Sequence, residues 1–592
     1  MKSLPPAIEV DADDYDSAEA QTPVLTGRPL RMFLFDDVFI PEEPTFTPNT
    51  AGWREEKSAL EGALVSVPVG SDPVEIVRKA VALTASERTS SAWRRYTIAD
   101  FQRGYASGVT TPSRVAERVI AAVESGLAQS PPLVFFYHFD RDRLRAAAAA
   151  STERWAQMQP LSALDGVPFG VKDLENVAGM PSSGGTAFLA DFLSRGEGAG
   201  ATNPCAAALL AAGALLLGKL ATHEIGVGTT GLNTVKGTPR NPYNPAHHTG
   251  GSSSGTGAAV SAGLCPFGVG SDGGGSIRIP ASLCGVVGLK PTFKRLDDSQ
   301  GVPVDATVAV IGPLANSVAD CATAYAVMAA GAREGAETPE TSDTVLPVPR
   351  PRPALVNLPD LSLSEDFVRG KRAGVYWKWF EHATPEVVAA CKAALALLEA
   401  AGAATTSVTI PELHSLTLAH GVTITSEMRS YMAASLADDA LRPQLNAETR
   451  ATLGFSKNFT GAYYVSAQRV RTRAETHFRR AFAGCDVLVT PATPCTAPAV
   501  RAQATVGGET DLVTTTALLR FCVQANFLGF PAVSVPVGVD AQGLPIGLQL
   551  MAAPWHEATL LHCAAVLERA LSGPMPKPAV WFDLLGEQAS DA

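Results

Sequence analysis

The sequence predicts an α/β fold built around one large core. Helical stretches such as 385–401 alternate with short β-rich runs such as 487–490 and 532–536, the pattern of strands joined through helices. Of 592 residues, 46% are hydrophobic and 18% charged, which fills a sizeable interior and excludes wholesale disorder. A chain of this length exceeds the usual single domain, so one big core with appendages is expected.

Taken in order, residues up to about 91 read as an arm, acidic and Pro-rich at first. An apolar patch follows at Met32, Phe33, Leu34, Phe35, Val38, Phe39 and Ile40, then the turn-rich 41–44. That patch either docks on the core or meets lipid, and both readings stay open. Thr97 with Asp100 three residues on caps a helix ending near Gly108. Thr111 and Pro112 start a second helix, running to about Ser125. The alanine-rich 141–158 is a third. From 164 to 290 the chain breaks into short Gly-rich segments, where chemistry would sit on loops between strands and helices. Residues 322–330 close a helix, and the Pro- and acid-rich 334–360 reads as a surface linker.

Composition also excludes partners. The net charge is -11 and there is no Lys/Arg run, so nucleic acid is not expected. Nine cysteines are scattered without CxxC pairs or metal-ligand spacing, and read as reduced, buried thiols. No metal and no cofactor are expected. Pro5, Pro6 and a run of acids stand where a signal peptide would need an apolar stretch. The longest apolar run, about 206–217, is interrupted by Gly213 and too short to cross a bilayer. An intracellular, cytosolic-facing protein with at most peripheral membrane contact is expected.

The chemistry concentrates in 249–280. Gly273, Gly274 and Gly275 precede Ser276, and three glycines let successive N–H groups point into one concavity, as an oxyanion hole requires. Ser276 would be the nucleophile at its lip, and Ser252, after Gly250 and Gly251, a relay. Lys172 follows a short apolar run, where burial disfavours its charged form and lets it accept a proton near neutral pH. On spacing alone, Gly/Ser turns and a solvated lysine explain the same residues. Gly226 to Gly231 satisfies GxGxxG, yet Pro242 and Pro245 interrupt any long helix and no acid lies about 20 residues on. Gly251 to Gly255 satisfies GxSxG, yet no strand leads into it. His223 and Glu224 lack a second histidine at helical spacing for zinc. His247 and His248 are expected to be solvent-facing, Cys265 and Cys284 to be small apolar fillers, and Asp173 to point away from Lys172.

The wording TGGSSSGTGAAVSAGL, then GVGSDGGGSIRIPASLCGVVGLKPT, resembles the signature stretch of the amidase signature family, and LDGVPFGVKD resembles its lysine segment. Further similar segments, LLLGKLATHEIGVGTTG, IGPLANSVAD, DVLVTPATP and FLGFPAVSVPVGVDAQGLPIGLQLM, follow in the family's order. The resemblance implies a large mixed, twisted sheet covered by helices on both faces, with a catalytic domain over 96–592 and an N-terminal arm over 1–95. It implies Ser276 as the acylated nucleophile, Ser252 as the bridging serine on a cis peptide bond and Lys172 as general base. Gly273, Gly274, Gly275 and Ser276 would supply oxyanion and substrate-binding amides, with Thr229 near the acyl channel. Asp272, Arg278 and Ser253 would support the loop.

Within the family, Leu25-Thr26-Gly27, Ile40 to Pro44 ahead of Phe46, and the GTTG, TGGSSSG and DGGGS wording resemble the plant-type fatty acid amide hydrolases. That implies a lipid amide substrate of the N-acylethanolamine type, a homodimer and peripheral membrane contact. A glutamine amidotransferase A-type subunit, a general short-chain amidase and a catalytically silent dimeric scaffold are the alternatives.

Overall fold

A computed structural model describes residues 40–50, 53–84, 93–190, 201–302, 304–330, 355–571 and 575–586. Its strands are β1 (Leu64–Pro68), β2 (Phe136–Phe139), β3 (Pro168–Lys172), β4 (Leu215–Leu220), β5 (Phe267–Asp272), β6 (Val287–Lys290) and β7 (Val310–Ala315). After these come β8 (Leu355–Pro359), β9 (Arg372–Val375), β10 (Ala404–Ser407), β11 (Val487–Pro491), β12 (Ala532–Val539) and β13 (Pro545–Met551). Eleven of them form one mixed sheet in the order β10-β9-β11-β13-β12-β6-β7-β5-β3-β4-β2, flanked by helices. The α/β expectation holds. Strands β3, β4 and β13 are buried at every position, so their sequences PFGVK, LLLGKL and PIGLQLM are near-continuous apolar runs.

The helices used below are α1 (Pro73–Thr84), α2 (Ile98–Ala106), α3 (Pro112–Leu127), α4 (Arg141–Ala156), α5 (Ser254–Ser261), α6 (Arg278–Cys284), α7 (Val318–Ala330), α8 (Pro385–Ala400), α9 (Leu413–Tyr431) and α10 (Gly461–Gly484). The expected starts are observed. At α2 the Asp100 carboxylate accepts from the Thr97 N–H at 2.7 Å, and at α3 the Thr111 hydroxyl accepts from the Arg114 N–H at 3.2 Å.

The described part of the arm is built into the core. Strand β1 pairs antiparallel with β8, and α1 packs on α7 with Ile76, Val77 and Ala80 buried. Trp53 meets Phe482 and Phe530 edge-on at 5.9 and 5.7 Å, and Glu42 pairs with Arg473 at 2.9 Å. Ile40 is buried, while Met32, Phe33, Leu34, Phe35, Val38 and Phe39 lie outside the described residues. One expectation is corrected: 334–360 does not end as a linker, because 355–359 is strand β8, which recruits β1 as its partner. Residues 331–354 lie outside the described residues. All nine cysteines are buried and free. Among the described residues no helix is long and apolar enough to cross a membrane.

Candidate active site

Strand order brings the site together. Strands β3 and β5 are parallel neighbours, with Val171 opposite Val269, so their C-terminal ends emerge at one edge of the sheet. Lys172 is the last residue of β3, and Ser271 and Asp272 are the last of β5. Strand β7 runs antiparallel to β5 and starts at Val310 opposite Asp272, which delivers the loop entering β7 to the same edge. Ligands in α/β sheets collect at such strand ends.

Lys172 turns its amine toward two oxygens. Its Nζ lies 2.7 Å from Ser252 Oγ and donates to the Ser271 carbonyl at 3.1 Å. Lys172 and Ser252 are each 1% exposed, whereas Ser276 is partly exposed. The base is therefore deep and the nucleophile candidate nearer the mouth. Burial is the largest influence on Lys172 and lowers its pKa to about 8, against the opposing pull of Glu175, Asp305 and Asp272. A neutral amine is thus available near physiological pH.

Ser252 follows a cis peptide bond from Gly251, where the resemblance implies one. Its carbonyl accepts from the N–H groups of His223 and Ser254 at 3.0 and 2.8 Å. Ser253 stands at the head of α5. Its hydroxyl donates to the Ser271 carbonyl at 3.1 Å, the same oxygen Lys172 uses, and its N–H donates to the Ser276 carbonyl at 3.1 Å. One residue thus ties the serine run to the glycine loop. The small residues are required by contact, since a Cβ on Gly255 would stand 2.4 Å from the Ala221 nitrogen.

The glycine loop is set by Asp272. Its two carboxylate oxygens accept from Arg278 Nε and Nη2 at 3.0 Å each, from the Gly275 N–H at 2.6 Å and from the Ile277 N–H at 3.0 Å. Burial alone would raise this carboxyl, but the Arg278 charge and the hydrogen bonds outweigh it and hold the group well below the usual carboxylate range. Arg278 is itself buried, donating also to Gln549 Oε1 at 2.7 Å and Asn526 Oδ1 at 2.5 Å. Of the amides that the resemblance implies for the oxyanion, the Gly275 N–H donates to Asp272 in this structure. Among the described residues, nothing accepts from the N–H groups of Gly273, Gly274 and Ser276. Thr229 backs the serine run through its carbonyl, which accepts from Gly251 at 2.7 Å, and its buried hydroxyl has no partner.

His248 is not solvent-facing. It is 5% exposed, its N–H donating to the Pro498 carbonyl at 2.8 Å because the 240–249 segment packs under 498–500, and burial lowers its pKa to about 3. His247 is half-buried. Neither rival motif has its required context. Gly226 ends the short 3-10 turn Glu224–Gly226 and 227–231 runs as loop, and Ser253, the middle serine of GxSxG, is occupied in heading α5. His223 lies 3.2 Å from Glu448, and no metal-binding group of His, Cys, Asp and Glu occurs among the described residues. Burial pushes the Cys265 and Cys284 thiols up, so they are inert fillers. Asp173 faces away from the Lys172 amine, 3.2 Å from Lys219 Nζ and bonded to Ser183.

Two groups at the site escape sequence reasoning. Helix α9 lies over the glycine loop, placing His420 and Ile424 against it. His420 Nε2 stands 2.8 Å from the Gly273 carbonyl, and burial lowers the imidazole to about 4. A carbonyl only accepts, so the ring is the neutral Nε2–H tautomer. Spacing of His420, Ile424, Glu427 and Met428 along one helical face is the signal that could have found it. The other is Asp305, in the loop entering β7. A Cβ on Gly273 would stand 2.0 Å from its Oδ2.

Comparisons with known proteins identify the family. The sequence profile of the family described as Amidase matches residues 121–561. The chain is 38% identical over 569 residues to a fatty acid amide hydrolase of Medicago truncatula, covering 93% of this chain and 89% of that protein. It is 36% identical over 564 residues to a fatty acid amide hydrolase of Arabidopsis thaliana, with the same shares covered, 93% and 89%. Among solved structures it resembles the peptide amidase PAM in complex with the competitive inhibitor chymostatin, at a TM-score of 0.67 and 25% identity over 81% of this chain and 98% of that one. With a profile match over most of its length and relatives above 30% identity along nearly all of it, this chain belongs to the amidase family.

Proposed function

We propose that the protein is a serine amidohydrolase that cleaves fatty acid amides, N-acylethanolamines among them, to a free fatty acid and an amine. The observation that carries this reading is the 2.7 Å contact between Lys172 Nζ and Ser252 Oγ, made by a lysine that burial lowers to about 8. The substrate class is supported by the names of the plant relatives.

Ser276 Oγ attacks the amide carbon. Its proton passes to Ser252 as the Ser252 proton passes to Lys172, which becomes an ammonium. The charge growing on the carbonyl oxygen meets the amides of Gly273, Gly274 and Ser276, each preorganised donor contributing about 3 kcal/mol in comparable sites. The ammonium then returns its proton through Ser252 to the amide nitrogen, the C–N bond breaks and the amine departs, leaving the acyl group on Ser276. Water attacks the ester and gives its proton to the same relay, which returns it to Ser276 Oγ as the Ser276–acyl bond breaks and the acid leaves. Asp272, Arg278 and Ser253 support the loop, and Thr229 lies near the acyl channel.

The test is hydrolysis of N-acylethanolamines of varied chain length beside acetamide and glutamine, together with labelling by an active-site-directed fluorophosphonate. Long-chain turnover, with labelling lost in Ser276→Ala, is expected. Turnover of glutamine or acetamide alone would transfer the protein to the amidotransferase-subunit or short-chain classes. Undiminished labelling of Ser276→Ala would remove the nucleophile assignment. The reading extends to an intracellular homodimer touching a membrane surface peripherally, which sedimentation and liposome flotation examine.

A further inference from the structure

Asp305 is a buried carboxyl at the catalytic edge with no hydrogen-bond donor of its own. It is 9% exposed, and burial and neighbouring charges act on it with no hydrogen bond to either carboxyl oxygen among the described residues. Its backbone is fixed: the Asp305 carbonyl accepts from the N–H of Ala309 at 3.1 Å. The adjoining Thr307 is held to Glu427 by its N–H at 3.0 Å and its hydroxyl at 2.5 Å. Glu427 also accepts from the Tyr464 hydroxyl at 2.9 Å. On the other side, Val304 is buried in an apolar cluster with Leu174 and Ile225. The carboxyl is thereby held against Gly273, where it keeps a little contact with solvent. Lys172, Lys294, Glu427 and Asp272 act on it from the surrounding elements, and burial, the largest influence, raises it to about 7.

A largely buried carboxyl with no donor in the fold keeps the little water it can reach, and a ligand that displaces that water must bring a donor or leave the group unsatisfied at a cost of about 1–3 kcal/mol. A rigid, unpartnered acceptor beside unpartnered loop amides is a half-built hydrogen bond whose other half arrives with the ligand. The acyl half of a fatty acid amide carries no donor, so the donor belongs to the amine half. We propose that Asp305 is a specificity-determining residue that accepts a hydrogen bond from a hydroxyl on the amine portion of the substrate. This rests on the fatty acid amide reading above.

The test is a matched pair of amides of one long-chain fatty acid, N-hydroxyethyl and N-ethyl, hydrolysed by wild type, Asp305→Ala and Asp305→Asn. Wild type is expected to favour the hydroxyethyl amide in kcat/KM by about tenfold or more, the scale of one buried hydrogen bond. In Asp305→Ala the ratio falls to near one, and Asp305→Asn, which keeps an acceptor oxygen, restores part of it. A wild-type ratio near one, or a ratio unmoved in Asp305→Ala, overturns the proposal. Should Asp305→Ala fail to fold, Asp305→Asn decides, since an undiminished ratio there has the same force. If wild type cleaves neither long-chain amide, the fatty acid amide reading fails on its own, and the ratio is taken on the corresponding acetamides. A wild type that cleaves no hydroxyethyl amide of either length overturns this inference as well.

Discussion

Asp272 and Arg278 meet face to face, two guanidinium nitrogens each 3.0 Å from a carboxylate oxygen, and both side chains are fully buried. The same carboxylate anchors the backbone of Gly275 and Ile277, so the pair determines where the free amides of the loop point.

Removing one partner of that pair leaves the other charge buried and alone. Arg278→Met is expected to lower stability by about 3–5 kcal/mol, the usual cost of breaking a buried ion pair from one side. The fluorophosphonate labelling rate should fall with it, because Gly275 and its neighbours lose their anchor. Urea midpoints and labelling kinetics check both.

Lys172 must be neutral to accept a proton, and its pKa is lowered to about 8. Wild-type kcat/KM is therefore expected to rise with pH up to about 8 and then level. Lys172→Ala should lose about 10²–10⁴-fold at neutral pH, the contribution of a general base, with the deficit narrowing at high pH where hydroxide substitutes. A pH-rate profile from 6 to 10 reads the result, and an unchanged profile would remove the base assignment.

The same lowered pKa predicts a stability cost. The unfolded lysine holds its proton to about 10.5 and the folded one only to about 8, so the native state is penalised fully below 8 and relieved as pH rises toward 10.5. Lys172→Met should therefore raise stability at pH 7 by up to about 3 kcal/mol, with the gain shrinking above pH 8 and gone near 10.5. Denaturation midpoints of the two proteins at pH 7 and 10 measure it.

His420 supplies the hydrogen on the Gly273 carbonyl from its neutral ring. His420→Leu leaves that carbonyl unsatisfied and should cost about 1–3 kcal/mol of stability together with labelling rate. His420→Gln retains an N–H donor and should recover part of both. Equal loss in the two variants would assign the residue to packing alone.

Much of this was legible in the sequence because the chemistry is carried by contiguous wording. Lys172, Ser252 and Asp272 to Arg278 each sit in a run whose wording resembles a family signature, where spacing alone left turns and a solvated lysine open, and the helix starts at Thr97 and Thr111 obey local capping rules. What escaped depends on contacts between distant segments. Asp305 and His420 come from a loop and a helix with no motif of their own, and only the antiparallel placement of β7 and the packing of α9 bring them to the glycine loop. Gly275 looked like its neighbours until the carboxylate of Asp272 was found on its N–H. Nearness along the chain does not report burial, which is why His248 was misplaced. Composition hid β8, because its partner strand lies 291 residues away, as in the Ser66 to Asn357 bond.

The parallel run of β3 beside β5, with β7 opposed, gathers the reactive groups on a single rim of the sheet. The residues named above lie away from the other rim, where β3 and β5 begin and β7 ends. On that side the connection into β3 reaches solvent at Met158, 70% exposed. A fused tag or probe at that exposed turn stands at the far end of the strand from Lys172, whereas the buried Asp165 a few residues on, bonded to Ser151 and Arg154, has no room for such a change.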